Sequence, residues 1–182
     1  MLRIKYLIVM SYAIVIAHAQ PNKVVYKCAS GKINFMSDAP MEIIKASSNK
    51  LSGIIDVSKR TFAFSVVIRT FEGFNLELQR EHFNENYMES EKFPTADFKG
   101  KIIEDIDLSK DGIYNIRAKG TFMIHGIEQE RIIKVLVKVE NGNVHVNSKF
   151  MVLLNDHNIK VPKVVNEKIS SEVEVKVDAE LK

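Results

Sequence analysis

Cysteine is almost absent: Cys28 is the only one in 182 residues. That excludes an internal disulfide and a cluster of thiolate metal ligands. It also makes a poor lipid-acceptor site, because Val25, Tyr26 and Lys27 precede it where small apolar residues would be needed. Within Val24-Val25-Tyr26-Lys27-Cys28, a strand by its composition, it reads as a packed thiol. Repeats, low-complexity tracts and an internal linker are missing too, so residues 20–182 read as a single domain, large enough to bury a core unaided.

An excess of one charge is likewise lacking. Lysine and arginine number 26 against 23 acids, a net +3. Residues 1–19 carry Arg3 and Lys5 and no acid, leaving 3 − 2 = +1 for the remainder. So balanced a chain makes no electrostatic claim on nucleic acid. No apolar run reaches the length of about 20 residues that spans a bilayer, so no integral membrane segment is expected after the leader. The apolar stretch from Leu7 to Ile16 instead fits a secretory signal peptide over residues 1–19. Arg3 and Lys5 supply its basic start, and Ala17-His18-Ala19 supplies the small residues before a cut ahead of Gln20. The expected location is therefore outside the cytoplasm, periplasmic or secreted.

Chemical motifs are also scarce. There is no Gly-x-Ser-x-Gly elbow, no phosphate-cradling glycine loop and no His-x-x-x-His pair. No metal and no cofactor is expected. His145 falls on the polar face of its strand, and His157 lies in the turn-like Asn155-Asp156-His157-Asn158. His82 and His125 sit in distinctive local sequences, where a structural hydrogen bond is the first reading and a catalytic role the second. Glu81, Glu85, Glu89 and Glu91 read as a solvated helix face. Nothing demands an enzyme.

What the chain does have is alternation. Val24–Cys28 and Gly31–Ser37 read as strands, and Glu42–Ser48 and Leu51–Val57 as two more parted by Ser48-Asn49-Lys50. In Thr61–Thr70, Phe62, Phe64, Val66 and Ile68 share one face. Asn75 is placed to cap a short helix bearing Leu76, Phe83 and Tyr87 on one stripe, before Phe93-Pro94 forces extension. From Thr95 onward the chain is nearly all strand. Ala96, Phe98, Gly100 and Ile102 form one face, and Ile116, Ala118, Gly120, Phe122 and Ile124 another. Val135 and Val137, then Val146, Ser148, Phe150 and Val152, then Val173 to Ala179 continue the pattern. Asp111-Gly112, His125-Gly126-Ile127-Glu128 and Asn141-Gly142 are the turn signals.

Long consecutive strands joined by tight turns make an antiparallel meander, and closure removes its edges. The expected fold is all-β: a closed antiparallel barrel of about eight strands with a short helix in one connection. Apolar strand faces converge inside it. The candidate interior residues are Phe64, Val66, Ile68, Phe98, Ile116, Phe122, Ile124, Val135, Val137, Val146 and Phe150. Small residues on those faces, Ala118, Gly120, Ser148 and Ala179, suit either a cavity or sharp barrel bending. Composition leaves a ligand-holding barrel and a filled one open.

Two stretches resemble the YceI family. Glu81-His82-Phe83 followed by Phe93-Pro94-Thr95-Ala96-Asp97-Phe98-Lys99-Gly100 is similar to its runs "D-E-H-L" and "K-Y-P-T-I-T-F-K-S". Gly120-Thr121-Phe122-Met123-Ile124-His125-Gly126 is similar to its "G-x-L-T-I-H-G". The resemblance extends more weakly from about Val24 to the C-terminus. It implies a lipocalin-like barrel, exported to the bacterial periplasm or beyond, holding a long-chain isoprenoid or other lipid against its interior. The matching residues His82, Phe83, Phe93, Pro94, Phe98, His125 and Gly126 are implied to be mainly architectural. Two regions depart from the family pattern: residues 33–42 lack the early "F-x-V-x-H-x-G-F-S" run, and Asn155-Asp156-His157-Asn158-Ile159 stands where the family has "D-F-G". The functions in contention are a lipid carrier, an envelope interaction scaffold with a filled barrel, and an enzyme acting on a lipid or ester through His82 or His125.

Overall fold

Period-two alternation places every second side chain on one face, and a sheet with one apolar face must bury it. Here eight strands do so by closing on themselves. The computed structural model describes residues 24–182, and the leader expected over 1–19 lies outside them. The strands are β1 (Val25–Asp38), β2 (Ile43–Asp56), β3 (Thr61–Val67), β4 (Thr95–Ile102), β5 (Gly112–Ile124), β6 (Ile127–Glu140), β7 (Asn143–Leu153) and β8 (Glu172–Leu181). They form a closed antiparallel barrel in sequence order, with β8 back beside β1.

Two expected strand breaks are absent. The segments 24–28 and 31–37 are one strand, because Ala29 and Ser30 are absorbed in a register shift between Cys28 and Gly31. Ser48-Asn49-Lys50 continues β2 rather than splitting it. Ser48 is buried there because its hydroxyl donates to Thr70 Oγ1 at 2.6 Å, while Thr70 donates to Val67 O. At the other end of the scale, β3 is shorter than expected and turns tightly through Ile68–Thr70.

The β3–β4 connection holds the helix α1 (Glu77–His82), followed by a wider turn over Phe83–Tyr87. Asn75 does not cap it. Its side-chain amide donates instead to Ile43 O at 3.0 Å, tying the connector to β2. Leu76 faces solvent rather than the stripe, while Phe83 turns inward and stacks on Phe35 at 5.3 Å.

His125-Gly126 and Asn141-Gly142 each form a two-residue hairpin with positive φ at both positions (52° and 71°; 53° and 77°). That is the type I′ geometry matching strand twist, and His and Asn tolerate it better than most residues. In an up-and-down barrel the β1–β2, β3–β4, β5–β6 and β7–β8 connections share one end, so the helix and the His125 turn sit at the same rim. The opposite end is packed shut by Tyr26, Leu108, Val139, Val144 and Leu181, with Tyr26 Oη donating to Leu108 O.

Candidate functional site

The barrel interior is not filled. It encloses a cavity of about 370 Å³, inside the roughly 300–1,000 Å³ range of small-molecule pockets. Each strand contributes, since the inward phase of each is apolar. All eleven interior candidates line it: Phe64, Val66 and Ile68 from β3 and its end, Phe98 from β4, and Ile116, Phe122 and Ile124 from β5. Val135 and Val137 from β6 and Val146 and Phe150 from β7 complete the set. Sequence reasoning passed over Ile33 and Phe35 of β1, although their alternation was visible. It also passed over Phe71 and Phe74, which lie beyond the end of β3 and carry no periodic signal.

The small residues divide between the two roles open to them. Ala118 and Ser148 border the cavity. Gly120 instead faces Gly100 across the β4–β5 ladder, where a Cβ would meet Lys99 O at 2.1 Å. It permits close strand approach rather than internal space.

Polar groups gather at the rim. Glu42, Gln79, His82 and Lys168 border the cavity at the connector end. Gln79 Nε2 donates to Glu42 Oε1 at 2.6 Å, while Gln79 Oε1 is buried without a partner among the described residues. A buried acceptor left unsatisfied carries a desolvation cost that a ligand donor would relieve. The inside is thus an apolar sleeve with one polar end.

The motif residues separate. His82 and Phe83 border the cavity, with Phe83 packed against Phe35, Phe71 and Phe74. Phe93, Pro94, His125 and Gly126 form a clasp beside it. His125 Nδ1 faces His157 O at 3.0 Å and Nε2 faces Glu89 Oε2 at 2.6 Å, so the ring bridges two loops to its own turn. Phe93 stacks edgewise on His125 at 4.7 Å, and a Cβ on Gly126 would strike the Phe93 ring. Pro94 O accepts from Ile68 N. Glu89 therefore belongs to the clasp and not to a solvated helix face; its φ of 42° turns the chain toward His125.

His157 is the largest correction in this region. It is completely buried, with Nδ1 donating to Ile127 O at 3.2 Å and its ring edge-on to Phe122. Its polar-looking turn is in fact a plug for the rim. Burial, helped by the charge of Arg131, pushes its pKa below the ordinary histidine value; the bond to Ile127 and the charge of Asp156 oppose this. Over the interval from that lowered value up to the unfolded value of about 6.5, the unfolded chain binds more protons, so stability rises with pH. It is fully present above the unfolded value and falls as the pH drops below it. Depressed carboxylates such as Glu174, held down by Lys149 and Lys176, lose their contribution only below the ordinary carboxylate range. The melting temperature is accordingly expected to fall by a few degrees between about pH 7.5 and about pH 5, and less in His157→Gln. Equal slopes for both proteins in a thermal-melt series would remove His157 as the cause.

No three His, Cys, Asp or Glu side chains gather as a metal site among the described residues, and no helix among them is long and apolar enough to cross a membrane. The YceI-like domain model matches residues 25–181, essentially the whole barrel. The chain belongs to the YceI-like family. No curated protein matches it in sequence. Among solved structures, a polyisoprenoid binding domain from Saccharophagus degradans, implicated in plant cell wall breakdown, superposes with a TM-score of 0.71 at 13% identity. It covers 88% of this chain and 99% of that one. BcnA of Burkholderia cenocepacia gives 0.67 at 14% identity over 82% and 95%. The Campylobacter jejuni YceI protein gives 0.56 at 11% identity over 94% and 91%. At such identities the likeness concerns the YceI-like barrel fold.

Proposed function

We propose that this protein binds and carries an elongated apolar chain, a polyisoprenoid or comparable lipid, with its tail inside the barrel and its polar end at the rim. The carrying observation is the cavity itself: apolar along most of its length, shut at one end, and bordered at the rim by Gln79, His82, Glu42 and Lys168. Burying on the order of 300 Å² of apolar chain would contribute about 7 kcal/mol, before the cost of ordering it. That is sufficient for specific retention of a slender ligand. The polyisoprenoid binding of the Saccharophagus relative supports the choice of chain.

Binding is favoured over turnover. His125 has a carboxylate but does not border the cavity, whereas His82 borders it but has no hydrogen-bond partner among the described residues. A general base needs both reach to the substrate and an orienting partner. A filled scaffold is disfavoured by the open interior. The basic and apolar character of residues 1–19 supports export, with the carrier acting outside the cytoplasm.

Native mass spectrometry of protein purified from an exporting bacterial host tests these readings together. An added mass that solvent extraction removes and identifies as a lipid is expected, on a chain beginning at Gln20. A bare chain that also fails to take up a fluorescently labelled three-isoprene alcohol would overturn the carrier reading. A chain retaining Met1 would overturn export.

A further inference from the structure

The barrel is not equally knit all round. β6 pairs with β5 from Ile127 to Val139, and β7 pairs with β8 from Val144 to Leu153. The β6–β7 ladder itself runs only from Glu140↔Asn143 to Val135↔Ser148. Toward the rim, residues 127–134 and 149–153 each keep their outer partner and leave a seam between them. At the rim end the buried His157, just after β7, donates from Nδ1 to Ile127 O at 3.2 Å, and between that tie and the ladder other side chains close the gap. Ser148 Oγ donates to Lys134 O at 2.8 Å, Arg131 Nη2 to Met151 O at 2.7 Å, and Gln129 Nε2 to Asp156 O at 3.0 Å. Arg131 also pairs with Asp156 at 3.6 Å.

The β2–β3 ladder also stops short, at Ser52↔Ser65, but main chain closes that gap. Ser47 and Glu72 exchange two backbone hydrogen bonds at 2.8 and 2.9 Å, and Ser48 and Thr70 join beside them. Backbone bridges are fixed by the fold, whereas long side chains release their acceptors by rotating. The β6–β7 seam is therefore the line along which the wall parts most easily.

Apolar side chains flank that line on both faces. Inside, Ile133, Phe150 and Val152 border the cavity. Outside, Ile132, Met151 and Leu153 are 57%, 38% and 44% exposed, on a wall whose neighbouring outward positions are Lys119, Lys134, Lys149 and Glu174. Gln129 and Arg131 stand at the inward phase of β6, yet do not border the cavity; they turn into the seam instead. The rim, by contrast, is tied by His125 to Glu89, by Asn75 to Ile43 and by Gln79 to Glu42.

We propose that β6 and β7 part along this seam to admit the lipid chain sideways into the barrel, with Arg131 and Gln129 as the latch. This rests on the carrier reading above. A chain passing there meets Ile132 and Met151 on the outside and Phe150 on the inside. It avoids threading past the rim ties from its tip. Opening breaks no bond of the β6–β7 ladder, so the open form is a locally excited state of an otherwise intact barrel.

The test locks the seam from outside. Ile132→Cys with Met151→Cys, joined after folding by a short bis-maleimide, places a strap across it; Cys28 is buried and its lack of modification is checked by mass. Leu136→Cys with Asn147→Cys, directly paired in the knit part of the ladder, is the control. Uptake of the fluorescent three-isoprene alcohol, followed by stopped flow, is expected to slow at least tenfold in the strapped seam and stay unchanged in the control. Arg131→Met, which removes the latch, is expected to speed uptake and release several-fold together, with a smaller change in equilibrium affinity. Equal rates in strapped, control and latch-free proteins would overturn the lateral route while leaving lipid binding intact. Absence of uptake by the unmodified protein would overturn the carrier reading and the route with it.

Discussion

Val135→Phe is expected to leave the barrel folded and slightly more stable while abolishing lipid retention. Val135 sits inward on β6, opposite Ile116 on one side and Ser148 on the other, and all three border the cavity. An added ring at this position grows into open space instead of against packed neighbours. Filling an existing void stabilises proteins by about 0.5–2 kcal/mol, the reverse of the cost of opening one. The same ring occupies the path of a bound chain midway along the sleeve. A loss of at least tenfold in affinity follows, about 1.4 kcal/mol or more. Denaturant titration and fluorescence titration with the labelled isoprenoid alcohol read the two effects separately. Unchanged affinity in a folded variant would show that the chain does not lie where the cavity is.

Gly120→Ala is expected to be far more damaging than the size of a methyl group suggests. Gly100 and Gly120 oppose each other in the β4–β5 ladder. A Cβ on Gly120 would stand 2.1 Å from Lys99 O and 2.8 Å from Gly100 Cα, and one on Gly100 would stand 2.1 Å from Lys119 O. Both obstacles are main chain, so no side-chain rotation relieves them and the strands must separate. Overpacking costs about 1–3 kcal/mol, and with main chain on both sides the upper end is expected. In a domain of this size that lowers the melting temperature by roughly 6–12 °C. The adjacent Lys119→Ala, outward and exposed, is expected within about 0.5 kcal/mol of the parent. A melting temperature for Gly120→Ala equal to that of Lys119→Ala would show that the close approach is not required.

Gly120 also marks the limit of what a strand pattern conveys. Its place on the inward face of β5 is plain from alternation, but a missing side chain means equally a void or a neighbouring backbone. Only the register with Gly100 distinguishes them. The loop at His157 shows the same limit in a polar setting. Asn155-Asp156-His157-Asn158 has the composition of a solvated turn, yet His157 is buried because Ile127 O lies within reach of its ring. That acceptor belongs to a turn some 30 residues away in the chain, and nothing local predicts the meeting. Glu89 and His125 are a third such pair, 36 positions apart.

The amino-acid sequence by itself determined which face of each strand is apolar, where the His125-Gly126 and Asn141-Gly142 hairpins fall, that the chain is a YceI-like antiparallel barrel, and eleven of the side chains that line its interior. Those properties are local: side-chain direction alternates with period two whatever the strand's partner, and turn conformations depend on adjacent residues. The tertiary structure alone decided that the interior is open rather than filled, that the clasp joins His125 to Glu89 and His157, and that the β6–β7 ladder ends at Val135↔Ser148. Cavity volume and ladder length depend on the register and separation of strands distant in sequence, and these are settled only when every strand has found both neighbours.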